Sequence, residues 1–330
     1  MLQLPRKVTV VDVAPRDGLQ SFPRWVETAD KVAMIDRLSD AGFPVIEVTS
    51  FAHPKAVPNL QDAELVLERI RRQPGTVYRA LVPNARGAER AVRCNAPPNE
   101  ILGLIVASDT YLAKNQNMSS DQAIDQAIVA FRIASEAGLS FVQAIAGAFW
   151  DMYDGPTPEA KVMAMVGRFH DAGIRKLYLA GSLGMEDPAH VNRLFSAVSR
   201  QWSALELGFH VHNMSGAGSA NILAALDGGA SFIEGSICGI GGGIALPGAV
   251  QSTGNLASED VVYLLNECGI ETGIDTQEAI DAARDIARLL DITPAGHIAH
   301  CGSRADVMRL GDRPGAGTGT RTGTGTGTEI

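Results

Sequence analysis

Two histidines separated by a single residue, His210-Val211-His212, close a β-rich run that begins at Leu207. Side chains on a strand alternate between faces with period two, so both imidazoles project from the same side. Two imidazoles and a carboxylate make a donor set for a divalent metal ion; the pair alone reads equally well as two histidines hydrogen-bonded at a strand end. The first β-rich run, Val8 to Val13, leads straight into Ala14-Pro15-Arg16-Asp17-Gly18, so Asp17 is the candidate third ligand. Arg16 beside it is a fixed cation where oxyanion charge would develop, or an ion-pair partner of Glu47 that ties two strands together, and the two roles are compatible. Asp12, alternating with Val11 and Val13, is expected to face the interior of the fold. A carboxylate there must be paired or protonated, and Arg16 is its candidate partner.

These residues serve one another only if the chain brings its strand ends together. Short β-branched runs alternate with longer helical patterns, as parallel β/α units do. The runs are Val8 to Val13, Val45 to Thr49, Val77 to Leu81, Ile101 to Val106, Phe141 to Ile145, Lys176 to Ala180, Leu207 to Val211 and Ser231 to Glu234. Amphipathic stretches between them include Thr28 to Ala41, Asp121 to Ala137, Pro158 to Ala172 and Ser219 to Leu226, three of them closed by Gly42, Gly138 or Gly173. Eight units in one chain predict an α/β fold, a single (β/α)8 TIM barrel, over an open doubly wound sheet. No G-x-G-x-x-G follows the first strand. In a closed barrel the first, eighth and seventh strands are consecutive neighbours, which puts Asp17 beside His210 and His212 and makes metal binding the stronger reading. Barrel enzymes carry their reacting groups just past the C-terminal strand ends, where Arg16, Asp17, the two histidines and, after the eighth strand, Asn255 all fall.

A Gly-rich loop, Gly239 to Gly243, follows the eighth run, and helical patterns at Ser258 to Cys268 and Thr276 to Leu290 are expected to cap the barrel. Residues 1–310 are read as the barrel domain. From about Gly311 the chain turns into Gly/Thr repeats with almost nothing to bury, so 311–330 is expected to be a disordered tail.

Composition narrows the partners. With 330 residues, 45% hydrophobic and 20% charged, the chain can bury one large core. A net charge of −9 without a basic run lacks the footprint of a nucleic-acid or anionic-membrane binder, so a small-molecule partner is expected. Cys94, Cys238, Cys268 and Cys301 lack paired spacings and read as thiols of a reducing cytosol. The apolar start MLQLPRKVTVVDV is too short to span a bilayer and has no cleavage site after it, so a cytoplasmic location is expected.

Several motifs occur in order: Ala-Pro-Arg-Asp-Gly-Leu-Gln at 14–20, Val-Ile-Glu-Val-Thr-Ser-Phe at 45–51, Pro54-Lys55, Val57-Pro58, His-Val-His at 210–212 and Gly-Asn-Leu-Ala-Ser-Glu-Asp at 254–260. With these, residues 7 to 295 resemble the hydroxymethylglutaryl-CoA lyase family. The resemblance implies a Mg²⁺ or Mn²⁺ ion held by Asp17, His210, His212 and Asn255, with Arg16 stabilising an enolate and Glu47 orienting Arg16 or the substrate. It implies retro-Claisen cleavage of a 3-hydroxyacyl-CoA, to acetyl-CoA and acetoacetate in the family's default case, by a chain that is commonly a homo-oligomer. Gln20, Lys114, Asn115 and Ser182 are the candidate substrate contacts, and the Lys114-Asn115-Gln116-Asn117 segment looks like the family's Lys-Asn-x-Asn.

Two departures stand out. The family's Gly-Leu-Gly-Gly-Cys reads Gly239-Ile240-Gly241-Gly242-Gly243 here, without the catalytic thiol, and the stretch from there to Asn255 is a few residues longer. The family's Gly-Asp-Thr-Ile-Gly after the sixth strand reads Ala180-Gly181-Ser182-Leu183-Gly184, without its carboxylate. Cys238 is read as a small buried thiol. Phe149 to Tyr153 reads either as a pocket wall for a different or aromatic acyl group or as a loop packed over the barrel mouth. The other five histidines are taken as surface or packing residues. Two further functions stay open: an aldolase or Claisen-type synthase on another hydroxy acid, and a non-catalytic metabolite-binding scaffold, which would have no need of the full set of site residues.

Overall fold

The computed structural model describes residues 2–242 and 254–311. Eight parallel strands close into a barrel: β1 (Thr9–Asp12), β2 (Val45–Ser50), β3 (Val77–Val82), β4 (Glu100–Val106), β5 (Ser140–Ala146), β8 (Lys176–Gly181), β9 (Glu206–Val211) and β10 (Phe232–Gly235). A two-stranded hairpin that sequence patterning did not anticipate, β6 (Trp150–Asp151) and β7 (Gly155–Pro156), interrupts the β5-to-helix connection. The ring runs β1-β10-β9-β8-β5-β4-β3-β2, so β1, β10 and β9 are neighbours as the eight-unit reading requires.

The helices follow from their patterns and caps. Helix Ser120–Glu136 starts in a capping box in which Ser119 and Gln122 satisfy each other's backbone N–H groups. Gly42 and Gly173 end helices Thr28–Asp40 and Glu159–Asp171 at φ +88° and +102°, a conformation that only glycine adopts without strain. Of the two late helices, Ser258–Glu267 packs beside the barrel where β1 meets β10, and Thr276–Leu290 packs on that helix, on the Ile237–Gly239 turn and on helix Thr28–Asp40. Helix Arg304–Gly311 carries the chain to Gly311; residues 312–330 of the expected tail lie outside the described residues.

Apolar packing divides into a large layer between strands and helices and a smaller cluster inside the barrel. The inner cluster holds Val11, Val13, Val45, Leu102, Val142, Ala144, Tyr178, Ala180 and Phe232. This corrects the reading of Asp12: Val11 and Val13 face the interior, so Asp12 points outward. It accepts hydrogen bonds from the Ser258 hydroxyl (2.7 Å) and from the backbone N–H groups of Ile237 (2.7 Å) and Ala14 (2.9 Å), and Arg16 is not among its partners. Burial raises its carboxyl to about 6, against the pull of those three donors.

Candidate functional site

Val13 ends the first strand in a single π-type turn, Ala14–Gly18, in which its carbonyl accepts from both Asp17 (2.7 Å) and Gly18 (3.3 Å). Such turns insert an extra residue into helical geometry and re-aim the side chains they carry. Here Arg16 and Asp17 both turn into the barrel mouth, buried at 4% and 6% exposure. On β9 the period-two spacing places His210 and His212 side by side, their Nε2 atoms 3.0 Å apart. Asp17 Oδ2 lies 3.7 Å from His212 Nε2, and one donor atom from each of Asp17, His210 and His212 falls within 4.8 Å of the others.

Asn255 joins them from the segment that runs beside the end of β9, where Leu256 N–H bonds the Val211 carbonyl (3.0 Å). Its Nδ2 donates to Asp17 Oδ2 (2.7 Å) and to the Ile240 carbonyl (3.1 Å), whereas its buried Oδ1 meets no hydrogen-bond donor among the described residues. Gly241 makes this approach possible: a Cβ there would lie 2.2 Å from Asn255 Nδ2, and its φ of +153° suits glycine. Gln20 Nε2 donates to Asp17 Oδ1 at 2.7 Å.

Beneath these groups lies a buried ion network. Arg16 Nε pairs with Glu47 and one of its terminal nitrogens lies 2.8 Å from Asp17 Oδ1. Arg79 pairs with Glu234 and with Glu100 (2.7 Å), Lys176 with Glu100 (3.1 Å), and Glu234 accepts from His210 Nδ1 at 3.2 Å. In this set the cations Arg16, Arg79 and Lys176 face the carboxylates Asp17, Glu47, Glu100 and Glu234. The surplus negative charge calls for one more positive charge: a proton, on Glu47 or His210, or a metal ion at the His210 Nε2. The carboxyls respond accordingly. Burial opposes ionisation of Asp17, but Arg16 and the two histidines outweigh it and hold Asp17 below its ordinary range. Glu234 is held low by Arg79 and His210 against the same burial. Burial, aided by Glu234, pushes Glu47 up in spite of Arg16. Burial also disfavours the imidazolium of His210, yet its Glu234 hydrogen bond and Asp17 raise it above its ordinary value.

The donor chemistry therefore fits a divalent cation. With Nδ1 of His210 committed to Glu234, its Nε2 lone pair is left to face His212 and Asp17. The Asn255 Oδ1 is a neutral oxygen with no hydrogen-bond donor among the described residues.

A cavity of about 370 Å³ opens over this corner. Arg16, Asp17, Gln20, Tyr178, His210 and His212 form its polar floor, and Leu81, Leu104, Val106, Ala146, Trp150, Met152 and Leu183 its walls. Trp150 and Met152 come from the β6–β7 hairpin, which Ser108 and Thr110 hold by hydrogen bonds to Asp154 (2.8 and 2.5 Å). Phe149 is buried behind it against Phe195 and Phe209. The Phe149–Tyr153 run is thus both pocket wall and packed loop. Ser182 lines the pocket while its hydroxyl accepts from Gly147 N–H (2.9 Å). Lys114 and Asn115 are exposed at the rim, the ammonium 4.8 Å from the centre of the Tyr153 ring and the amide donating to the Tyr111 carbonyl (3.1 Å).

Cys238 is buried at φ +63°, with its thiol donating to the Ala283 carbonyl (3.2 Å) on the outer helix and pushed up by burial, which makes it an unreactive packing group. Gly243 and the longer loop up to 253 lie outside the described residues. Of the remaining histidines, His53, His297 and His300 are exposed, while His170 and His190 pack against Trp202 and Phe149. Arg79, Glu234 and Tyr178 are the site residues that sequence reasoning missed. Their one signal was inward parity: Arg79 shares a strand face with Val77 and Leu81 on β3, and Glu234 with Phe232 on β10.

Comparison with known proteins agrees with this geometry. Human mitochondrial hydroxymethylglutaryl-CoA lyase is 36% identical over 296 residues, 90% of each chain. The hydroxymethylglutaryl-CoA lyase of Bacillus subtilis (strain 168) is 36% identical over 280 residues, 85% of this chain and 92% of that one. The solved structure of an HMG-CoA lyase from A. baumannii in complex with coenzyme A and 3-methylmalate superposes with a TM-score of 0.84 at 35% identity, covering 91% of this chain and 97% of its own. The HMGL-like family model matches residues 7–286, and the chain belongs to that family, whose named relatives here are carbon–carbon lyases.

Proposed function

We propose that this chain is a divalent-metal-dependent carbon–carbon lyase that cleaves a 3-hydroxyacyl-CoA, with hydroxymethylglutaryl-CoA the first substrate to test and acetyl-CoA and acetoacetate its products. The observation that carries this reading is the convergence of Asp17, His210 and His212 beside the Arg16 guanidinium on the floor of a deep pocket. Asp17, His210, His212 and Asn255 would hold Mg²⁺ or Mn²⁺. Bound there, the ion supplies Lewis acidity and a template for the substrate's hydroxyl and carboxyl oxygens.

In the reaction the tertiary hydroxyl loses its proton and the oxygen lone pair becomes the ketone double bond. The C2–C3 bond breaks, and its electron pair remains on C2 as the thioester enolate, which then takes up a proton. Arg16 is placed for the enolate: Glu47 fixes its Nε and Asp17 one terminal nitrogen, so its other N–H groups are pre-aimed where charge develops. The apolar walls exclude water from the reacting carbon and strengthen that electrostatic contribution. Gln20 and Ser182 are proposed to meet the acyl part, and Lys114 and Asn115 at the rim to meet the coenzyme. The coenzyme A bound by the A. baumannii relative supports a thioester substrate. The four free thiols support a reducing, cytoplasmic location.

The test is an NMR assay of Mg²⁺- or Mn²⁺-loaded protein with hydroxymethylglutaryl-CoA, next to Asp17→Ala. Metal-dependent acetoacetate that vanishes in the variant is the expected result. Silence from folded, metal-bound protein would overturn the assignment in favour of an aldolase or synthase acting on another hydroxy acid.

A further inference from the structure

We propose that Glu186 fills the space that Gly181 leaves open behind the pocket wall, and that it acts as a positioning residue for the His210–His212 pair and the turn packed on it. β8 ends at Gly181, and the chain turns through Ser182, Leu183, Gly184 and Met185 before Asp187 caps the next helix by accepting from His190 N–H (2.9 Å). Glu186 is 5% exposed within this turn. Its carboxylate folds back towards the backbone N–H groups of Glu186 and Met185, and Oε1 is buried with no hydrogen-bond partner among the described residues. A Cβ on Gly181 would lie 2.0 Å from Oε1, 2.4 Å from Cδ and 2.8 Å from Oε2. Positions 181 and 186 therefore share one slot, which takes a side chain from either residue but not from both.

That slot lies directly behind the pocket wall. Ala180 and Ser182, on either side of Gly181, line the pocket, whereas Gly181 falls on the outward face of β8 with Leu177 and Leu179. The turn is laced to the histidine-bearing strand end: His212 N–H bonds the Gly181 carbonyl (3.4 Å), Ser215 N–H the Gly184 carbonyl (3.0 Å), and Asn221 Nδ2 the Glu186 carbonyl (3.0 Å). Gly184 passes so close to the main chain of His212 that a Cβ there would lie 2.5 Å from its carbonyl carbon. Burial raises the Glu186 carboxyl to about 7, against its two backbone N–H groups and the charge of nearby His210. A buried carboxyl with an orphaned oxygen is a cost that glutamine would relieve, so packing alone gives no reason for it here. The Gly181 departure from the Gly-Asp-Thr-Ile-Gly pattern and the buried acid five residues later go together: Glu186 can fold into this space only because residue 181 has no side chain.

The shared slot stands on geometry, and the role in the site rests on the lyase reading. The test compares the full-length wild type with Glu186→Gln, Gly181→Asp and the exchange variant Gly181→Asp/Glu186→Gly. Melting temperature, Mn²⁺ affinity by EPR titration, kcat and KM are read for each. Gly181→Asp alone should lower the melting temperature and the exchange should restore it, a coupling that two independent sites would not show. Glu186→Gln should keep or raise the melting temperature yet lower kcat about 10- to 100-fold and weaken Mn²⁺ binding by about tenfold, with little change in KM. The exchange should recover most of both.

A Glu186→Gln enzyme with unchanged kcat and Mn²⁺ affinity would overturn the role, and additive melting temperatures would overturn the shared slot. If the wild type cleaves no 3-hydroxyacyl-CoA, the lyase reading fails separately. Mn²⁺ affinity then decides alone, weakened in Glu186→Gln if Glu186 positions the histidines and unchanged if it does not.

Discussion

Arg16 owes its geometry to two carboxylates on different elements, Asp17 next to it in the π-type turn and Glu47 on β2. A lysine would keep the charge but not the planar fork that meets both. Arg16→Lys is therefore expected to lower kcat roughly 10²- to 10³-fold while Mn²⁺ still binds, measured by steady-state kinetics beside a metal titration. Glu234 acts one step further back, fixing the tautomer of His210 through Nδ1. Glu234→Gln should weaken Mn²⁺ binding about 10- to 100-fold, and an unchanged titration would show that the hydrogen bond does not orient the ligand. Asp17, His210 and His212 were legible in the sequence because period two and the strand-end position are local properties. The Arg79–Glu234 pair was not, because it joins residues 155 apart in the chain and shows only once the barrel closes. Glu186 escaped for the same reason: nothing in the order of residues says that its carboxyl folds back over Gly181.

At the scale of elements, strand placement was readable to within a residue or two, since eight β-branched runs each had to be buried between helices. Which face of a strand points inward was not readable on β1. Parallel barrel strands are covered on both sides, so Val10, Val11 and Val13 are all buried and the alternation around Asp12 gives no direction. The β6–β7 hairpin is too short for any periodicity to mark it, although it carries Trp150 and Met152 into the pocket. Closure itself leaves a testable trace on β9. Gly208 faces inward against Phe232, where a Cβ would lie 2.1 Å from the ring. Gly208→Ala should destabilise the barrel by about 1–3 kcal/mol and lower the melting temperature by several degrees, and Gly208→Ala/Phe232→Leu should recover part of the loss. If the single variant melts like the wild type, the inner layer is looser than these contacts imply.

For the molecule as a whole, the buried acids divide into two groups with opposite effects on stability. Asp17, Glu100 and Glu234 are held below their ordinary range by paired cations and histidines, against their burial, so their contribution is present at neutral pH and is lost as pH falls through their folded values. Asp12, Glu186 and Glu259 behave in the other sense: burial raises them to about 6, 7 and 8, so the folded chain binds their protons more tightly than the unfolded chain does. Their contribution is complete below about pH 4 and is lost as pH rises through those values. The stability maximum should therefore lie on the acid side of neutrality. Glu259 offers the sharpest test, because it is fully buried on the outer face of the barrel, with Oε2 accepting from Cys238 N–H (3.0 Å) and Oε1 unpartnered among the described residues. Glu259→Gln keeps an acceptor for Cys238 and removes the titration. In urea unfolding it should match the wild type near pH 5 and exceed it by on the order of 1–3 kcal/mol at pH 9, the gap opening as the wild-type carboxyl ionises. A gap that stays constant across that range would mean that the Glu259 carboxyl does not change its protonation on unfolding.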